Sequence, residues 1–83
     1  MNNSTETFLV IGGYGGIGSE VCRQLKANNT NLVIAGRNRT EGDALASNLG
    51  ASFEYADATN PRDVEECIKA TIAHYGEING VVN

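Results

Sequence analysis

Residues 11–21 read IGGYGGIGSEV and hold five of the chain's ten glycines. Two patterns overlap in this stretch. Gly13, Gly15 and Gly18 spell G-x-G-x-x-G, whereas Gly12, Gly16 and Gly18 spell G-x-x-x-G-x-G. Before it stands TFLVI, residues 7–11, apolar and without polar alternation, which predicts a parallel strand buried on both faces. After it, Ile17, Val21 and Leu25 recur at i, i+4 and i+8 with Cys22 beside them, while Glu20, Arg23 and Lys26 fall away from that stripe. That spacing predicts an amphipathic helix over residues 16–28. Strand, glycines and helix in this order form the context of a phosphate cradle. Glycine permits the positive φ of a tight turn and lets the backbone approach a diphosphate. The helix N-terminus adds open N–H groups and a partial positive charge, and Gly18 lets the helix pack close to the sheet. The alternative is a tight strand-to-helix turn that binds nothing.

The same alternation continues along the chain. Residues 28–31 (NNTN) read as a turn, and LVIA at 32–35 is a second buried strand closed by Gly36. Residues 40–49 read as a helix with Ala44, Leu45 and Leu49 inward and Gly50 as its C-cap. Residues 52–56 form a third strand with Phe53 and Tyr55 on one face. Asn60 then suits an N-cap and Pro61 the first helical position, with Asp63, Glu65 and Glu66 in the favourable first turns. Val64, Cys67, Ile68, Thr71 and Ile72 make that helix's inner stripe, and Gly76 stops it. Residues 78–82 begin a fourth strand. The pattern βαβαβαβ implies an α/β fold: a Rossmann-type, doubly wound parallel sheet of about four strands and three helices, with strand order 3-2-1-4. Residues 1–6 are polar and read as a flexible arm before a single unit at 7–83. The last residues, INGVVN, leave an apolar strand with one open edge, a hazard for self-association. The expectation is that this is the front part of a larger protein.

Composition narrows the function classes. Net charge is −4, and the six Lys and Arg residues form no run, so neither a nucleic acid nor an anionic membrane surface is an expected partner. No signal peptide or membrane-length apolar run is evident, so the default compartment is the cytoplasm. Cys22 and Cys67, far apart among apolar residues, read as reduced core thiols. The two cysteines and single histidine give no zinc pattern.

Arg37 bears on the choice of ligand. In dinucleotide folds an acid at the end of the second strand accepts from the ribose 2′-OH of NAD. Here that end reads Ala35-Gly36-Arg37-Asn38. An arginine's planar fork suits a 2′-phosphate, and Arg39 could assist, which favours NADP over NAD. The alternative is that both arginines are solvated loop residues.

Taken together, these segments resemble the short-chain dehydrogenase/reductase family over nearly the whole chain. Gly12-x-x-x-Gly16-Ile17-Gly18 resembles that family's T-G-x-x-x-G-I-G, with Ile11 in place of the threonine. Residues 32–38, LVIAGRN, resemble its second strand with the NADP-type arginine. Asp57-Ala58-Thr59-Asn60 resembles its D-V-T-D segment, whose Asp side chain and following backbone contact adenine. Residues 76–83, GEINGVVN, resemble G-x-I-D-x-L-V-N leading into N-N-A-G, with Asn79 at the usual Asp and Asn83 at the first Asn. The rival G-x-G-x-x-G frame resembles saccharopine dehydrogenase-like reductases, but leaves Asp57 and residues 78–83 unexplained. Some NADP-binding members carry a basic residue where this chain has Gly15. The cofactor-binding set the resemblance implies is Gly12, Tyr14, Gly15, Gly16, Ile17, Gly18, Arg37, Asn38, Asp57, Ala58 and Asn83.

The family's Tyr-x-x-x-Lys pair is absent, because Tyr14, Tyr55 and Tyr75 are followed four residues on by Gly18, Thr59 and Asn79. No catalytic or metal-binding residue is assigned, and His74 reads as structural. The expected function is the cofactor-binding portion of an NADP(H)-dependent oxidoreductase acting on a carbonyl or alcohol, not itself catalytic. A free-standing nucleotide-binding or dimerisation module is the alternative. A half-domain that folds without binding is the third.

Overall fold

The computed structural model describes residues 5–12 and 15–83. Tyr14, Gly13 and most of the expected N-terminal arm lie outside the described residues. Four strands form one parallel sheet in the order β3-β2-β1-β4: β1 is Thr7–Ile11, β2 Asn31–Gly36, β3 Ser52–Tyr55 and β4 Gly80–Val82. Three helices connect them: α1 is Gly16–Ala27, α2 Arg39–Leu49 and α3 Pro61–Tyr75. Leu9 pairs with Val33 on one side and Val81 on the other, so β1 is central. The fold class and strand order are those read from the sequence.

The apolar runs of β1 and β2 are buried because helices cover both faces. Leu9, Ile11, Val33 and Ala35 face α3, with Cys67, Val64, Ile68 and Tyr75 packed on them. Val10, Leu32 and Ile34 face α1 and α2, where Cys22, Ala46, Leu25, Leu45 and Leu49 meet them. Both cysteines are buried and neither is in a disulfide.

The helix stripes differ in detail from the expectation. Ile17 is 86% exposed, because it belongs to the first turn of α1, one turn ahead of the fully buried Cys22. In α2, Gly42 and Ala46 are the buried residues, whereas Ala44 is exposed. Gly42 lies so close to the Phe53 ring that an added Cβ would overlap it. In α3, Ile72 is 44% exposed and Tyr75 takes the inner place in the last turn. At 3.6 residues per turn, Val64, Ile68, Thr71 and Tyr75 share one line and Ile72 turns about 80° away from it.

The helix ends agree with the sequence reading. Asn60 caps α3 with Pro61 in the first turn, and Gly50 and Gly76 close α2 and α3 in the left-handed conformation, at φ 71° and 91°. β4 starts two residues later than expected. Asn79 is occupied with Thr7: its backbone N–H donates to the Thr7 carbonyl (2.7 Å), and its Oδ1 accepts from the Thr7 N–H (2.7 Å). Asn31 Nδ2 donates to Thr7 Oγ1 at 3.2 Å. These bonds satisfy a buried polar residue at the N-terminal end of the sheet. No helix of the described residues is long and apolar enough to cross a membrane.

Candidate functional site

At the opposite end, the C-terminal edge of the sheet, lie the described residues that the sequence singles out. The crossovers diverge here: α1 and α2 cover one face and α3 the other, with β4 pairing on the far side of β1. In open α/β sheets the crevice at such a switch point is where ligands bind.

The glycine turn opens this crevice. The Gly12 N–H donates to the Ala35 carbonyl at 2.6 Å, extending the ladder by one residue. Its φ is then 77°, a conformation a side chain would strain. The chain enters α1 at Gly15, whose φ of −81° and ψ of 175° make it the N-cap. Gly15 offers no side-chain cap, and the first turn, with Gly16, Ile17 and Gly18, contains no acid. The N–H groups of that turn are therefore left without the usual side-chain acceptor, at the positive end of the helix dipole. Ser19, which could have reached a bound phosphate, turns back on its own helix. Its Oγ donates to the Gly16 carbonyl at 3.1 Å and accepts from Arg23 at 3.3 Å.

Arg37 follows β2 directly and is exposed, and among the described residues it forms no ion pair. Arg39 is engaged elsewhere: its guanidinium lies 5.5 Å from the centre of the Phe53 ring. Asn38 is the N-cap of α2, its Oδ1 accepting from the Glu41 N–H at 3.0 Å.

Asp57 follows β3. Its Oδ1 accepts from both the Thr59 hydroxyl (2.7 Å) and the Thr59 N–H (2.9 Å). Its own N–H donates to Asp63 Oδ2 at 3.1 Å. The hydroxyl and then the amide of Thr59 hold the carboxyl below the usual carboxylate range; desolvation opposes them, and the Arg37 guanidinium adds a further lowering. Ala58 and Asn83 are exposed beside the ends of β3 and β4. Sequence reasoning missed the support given to Asp57 by Thr59 and Asp63. The Asp-x-Thr spacing, a local side-chain-to-backbone turn, was the available signal.

This arrangement can hold a diphosphate on the glycine turn and α1, with a cation at the end of β2 and an ionised acceptor at the end of β3. The family profile described as short chain dehydrogenase matches residues 6–83. An uncharacterized oxidoreductase of Staphylococcus epidermidis is 32% identical over 77 residues, covering 90% of this chain and 34% of its own. A 7alpha-hydroxysteroid dehydrogenase of Bacteroides fragilis is 34% identical over 89 residues, covering all of this chain and 34% of its own. The structure of a short-chain dehydrogenase/reductase, glucose/ribitol dehydrogenase, from Brucella melitensis superposes with TM-score 0.86 at 29% identity, over 98% of this chain and 37% of the other. The chain thus spans about a third of the length of the curated relatives it matches. With a parallel sheet in the expected order, a glycine turn at its switch point and a family match over all but the first five residues, this chain belongs to the short-chain dehydrogenase family.

Proposed function

We infer that this chain is the dinucleotide-binding portion of an NADP(H)-dependent oxidoreductase that transfers hydride between the cofactor and a carbonyl or alcohol. The observation that carries the cofactor reading is the glycine turn. Gly12 has a positive φ, and the chain runs on into an α1 N-terminus without a side-chain cap or an acid. Gly12, Gly15, Gly16, Ile17 and Gly18 would hold the pyrophosphate, with Tyr14 in the same loop. Arg37 would take the 2′-phosphate with Asn38 beside it, Asp57 and Ala58 would meet adenine, and Asn83 would border the crevice. Arg37 has no competing ion pair among the described residues, and no acid stands in its place at the end of β2, which favours NADP over NAD. The cofactor supplies the hydride chemistry. This chain's residues bind and orient the ADP half, and the cytoplasm suits that role.

Titration with NADP, NAD and 2′-phospho-ADP-ribose tests the reading. Arg37→Ala should weaken NADP and 2′-phospho-ADP-ribose by about 1.5–3 kcal/mol, roughly 10- to 150-fold, and leave NAD nearly unchanged. Equal losses for NADP and NAD would reject the 2′-phosphate role. Incubation of the chain with NADPH and a panel of carbonyls should give no cofactor oxidation, since no Tyr-x-x-x-Lys pair is present.

A second reading rests on β4, where Val81 and Val82 are 46% and 38% exposed. A module that pairs through this edge would sediment as a dimer responsive to NADP, whereas the first reading expects no ligand-linked dimer.

A further inference from the structure

α2 meets β3 through a residue pair that leaves no room for a further side chain. Gly42 is buried in the first half of α2, and the Phe53 ring occupies the space that a Cβ would need. Phe53 stands opposite Ile34 of β2 and packs on the side of the sheet that α1 and α2 cover. Arg39, itself exposed, sets its guanidinium 5.5 Å from the centre of the same ring. A cation in the first turn of a helix is disfavoured by the dipole, and the negative face of an aromatic ring offsets that. The start of α2 is therefore pinned at two points to one side chain. Arg37 hangs from this start. Asn38, next to it, caps α2 by accepting from the Glu41 N–H at 3.0 Å, and its carbonyl accepts from the Gly42 N–H at 2.9 Å. One hydrogen bond and one peptide link thus separate Gly42, seated on the ring, from Arg37. Arg37 forms no ion pair among the described residues, so its place is set by its backbone.

We propose that Phe53, seated against Gly42 and Arg39, is a positioning residue that sets where the Arg37 guanidinium reaches, and so sets the preference for a 2′-phosphorylated dinucleotide over an unphosphorylated one. This rests on the reading of Arg37 above. Phe53 and Gly42 touch no ligand in that reading and act through the start of α2. A contact between a planar guanidinium and a phosphate depends on orientation as well as distance. A displaced α2 therefore weakens the contact to the 2′-phosphate and spares the glycine turn, which is built on β1 and α1. Arg39 is a clamp on the ring and not a second phosphate ligand. The pair is also a volume match: a methyl group at position 42 is excluded only while the ring stands at position 53.

The test compares NADP with NAD in equilibrium titrations of the full chain. Wild type should favour NADP by at least about tenfold, the worth of the Arg37 contact. Gly42→Ala, whose methyl group pushes ring and helix apart, should weaken NADP by about fivefold and leave NAD within about twofold of wild type. Phe53→Leu leaves the notch partly empty and takes the ring from Arg39, and should lower the NADP preference by about threefold. In the double variant the methyl group fills the space that the smaller side chain vacates. Gly42→Ala with Phe53→Leu should therefore recover most of the preference, a non-additivity that two independent sites do not show. Arg39→Gln, an exposed change, should cost NADP no more than about threefold. The positioning role is overturned, with the cofactor reading intact, if Gly42→Ala and Phe53→Leu keep the wild-type ratio or weaken NADP and NAD equally. It is overturned as well if the double variant shows the product of the two single losses, or if Arg39→Gln costs NADP as much as Arg37→Ala does. If wild type binds the two dinucleotides equally, or binds neither, the reading of Arg37 itself fails and this inference with it.

Discussion

The N-termini of α1 and α3 are finished in opposite ways. α3 is closed by its own sequence: Asn60 Oδ1 accepts from the Arg62 and Asp63 N–H groups at 3.0 and 3.4 Å, Pro61 contributes no N–H, and Asp63 faces the dipole. α1 begins at a glycine with no side-chain cap and no acid in its first turn. Each follows a strand of the same parallel sheet, so the difference lies in residue choice rather than in fold. The capped helix gives local stability. The other forgoes it and leaves N–H groups to an anion, which for α3 would have to displace a side chain already in place.

Giving α1 an end like that of α3 should break the contrast with the largest effect. In Gly15→Asp the backbone, at φ −81° and ψ 175°, accepts any residue, and nothing lies within 4 Å of the new Cβ. The carboxylate would cap the first turn and occupy the place proposed for the pyrophosphate. Melting temperature should hold or rise slightly, because Asp exceeds Gly as a cap by only a few tenths of a kcal/mol. Dinucleotide affinity should fall at least about 100-fold, since like charges about 4 Å apart repel by several kcal/mol near a protein surface. Retained binding in a stably folded Gly15→Asp chain would remove α1 from the site.

The converse change is smaller. Asn60→Ala strips α3 of its cap and should cost about 1 kcal/mol, lowering the melting temperature by roughly 4–8 °C for a domain of this size. Dinucleotide affinity should change by no more than about threefold, because in the proposed binding mode this capped helix end takes no part except through the Asp63 bond to Asp57. A large loss of affinity with little loss of stability would mean that the α3 end, too, belongs to the ligand.

Much of this contrast is legible in the sequence, and the remainder fails for local reasons. Asn60-Pro61 announces a capped helix, and the glycines between an apolar run and a helical period announce an open one. What periodicity cannot give is where a helix meets its sheet. Ile17 fits the apolar spacing of α1 yet is exposed, because the first turn contributes nothing to the core. Ile72 fits a run of spacings of three and four in α3 but sits at the margin of the stripe. Gly42 carries no apolar signal at all, although α2 approaches β3 through it, against Phe53. Asn79 and Thr59 act through hydrogen bonds to Thr7 and Asp57, and the Asn79 bond spans 72 residues, which no local pattern encodes. Arg39 looks like Arg37 in composition, but it opens α2 and has the Phe53 ring beneath it.

The smallest effect concerns Asp57, which follows β3 and is tied to α3 through Asp63. Its folded-state pKa is lowered, first by the Thr59 hydroxyl, then by the Thr59 amide, with Arg37 adding to both against desolvation. A group depressed on folding stabilises the fold fully above its unfolded pKa of about 4, and that contribution is lost as pH falls through the lower folded value. Wild type and Asp57→Asn should therefore keep a constant difference in denaturation midpoint from pH 7 down to about pH 4, and the difference should narrow only below that. Closure already between pH 6 and 5 would mean that the carboxylate is not held ionised. Thr59→Val, which removes the largest lowering influence, should leave the onset near the unfolded pKa and make the loss smaller and complete at a higher pH. A loss of undiminished size in Thr59→Val would transfer the effect to Arg37 and tie Asp57 to the end of β2 instead of to α3.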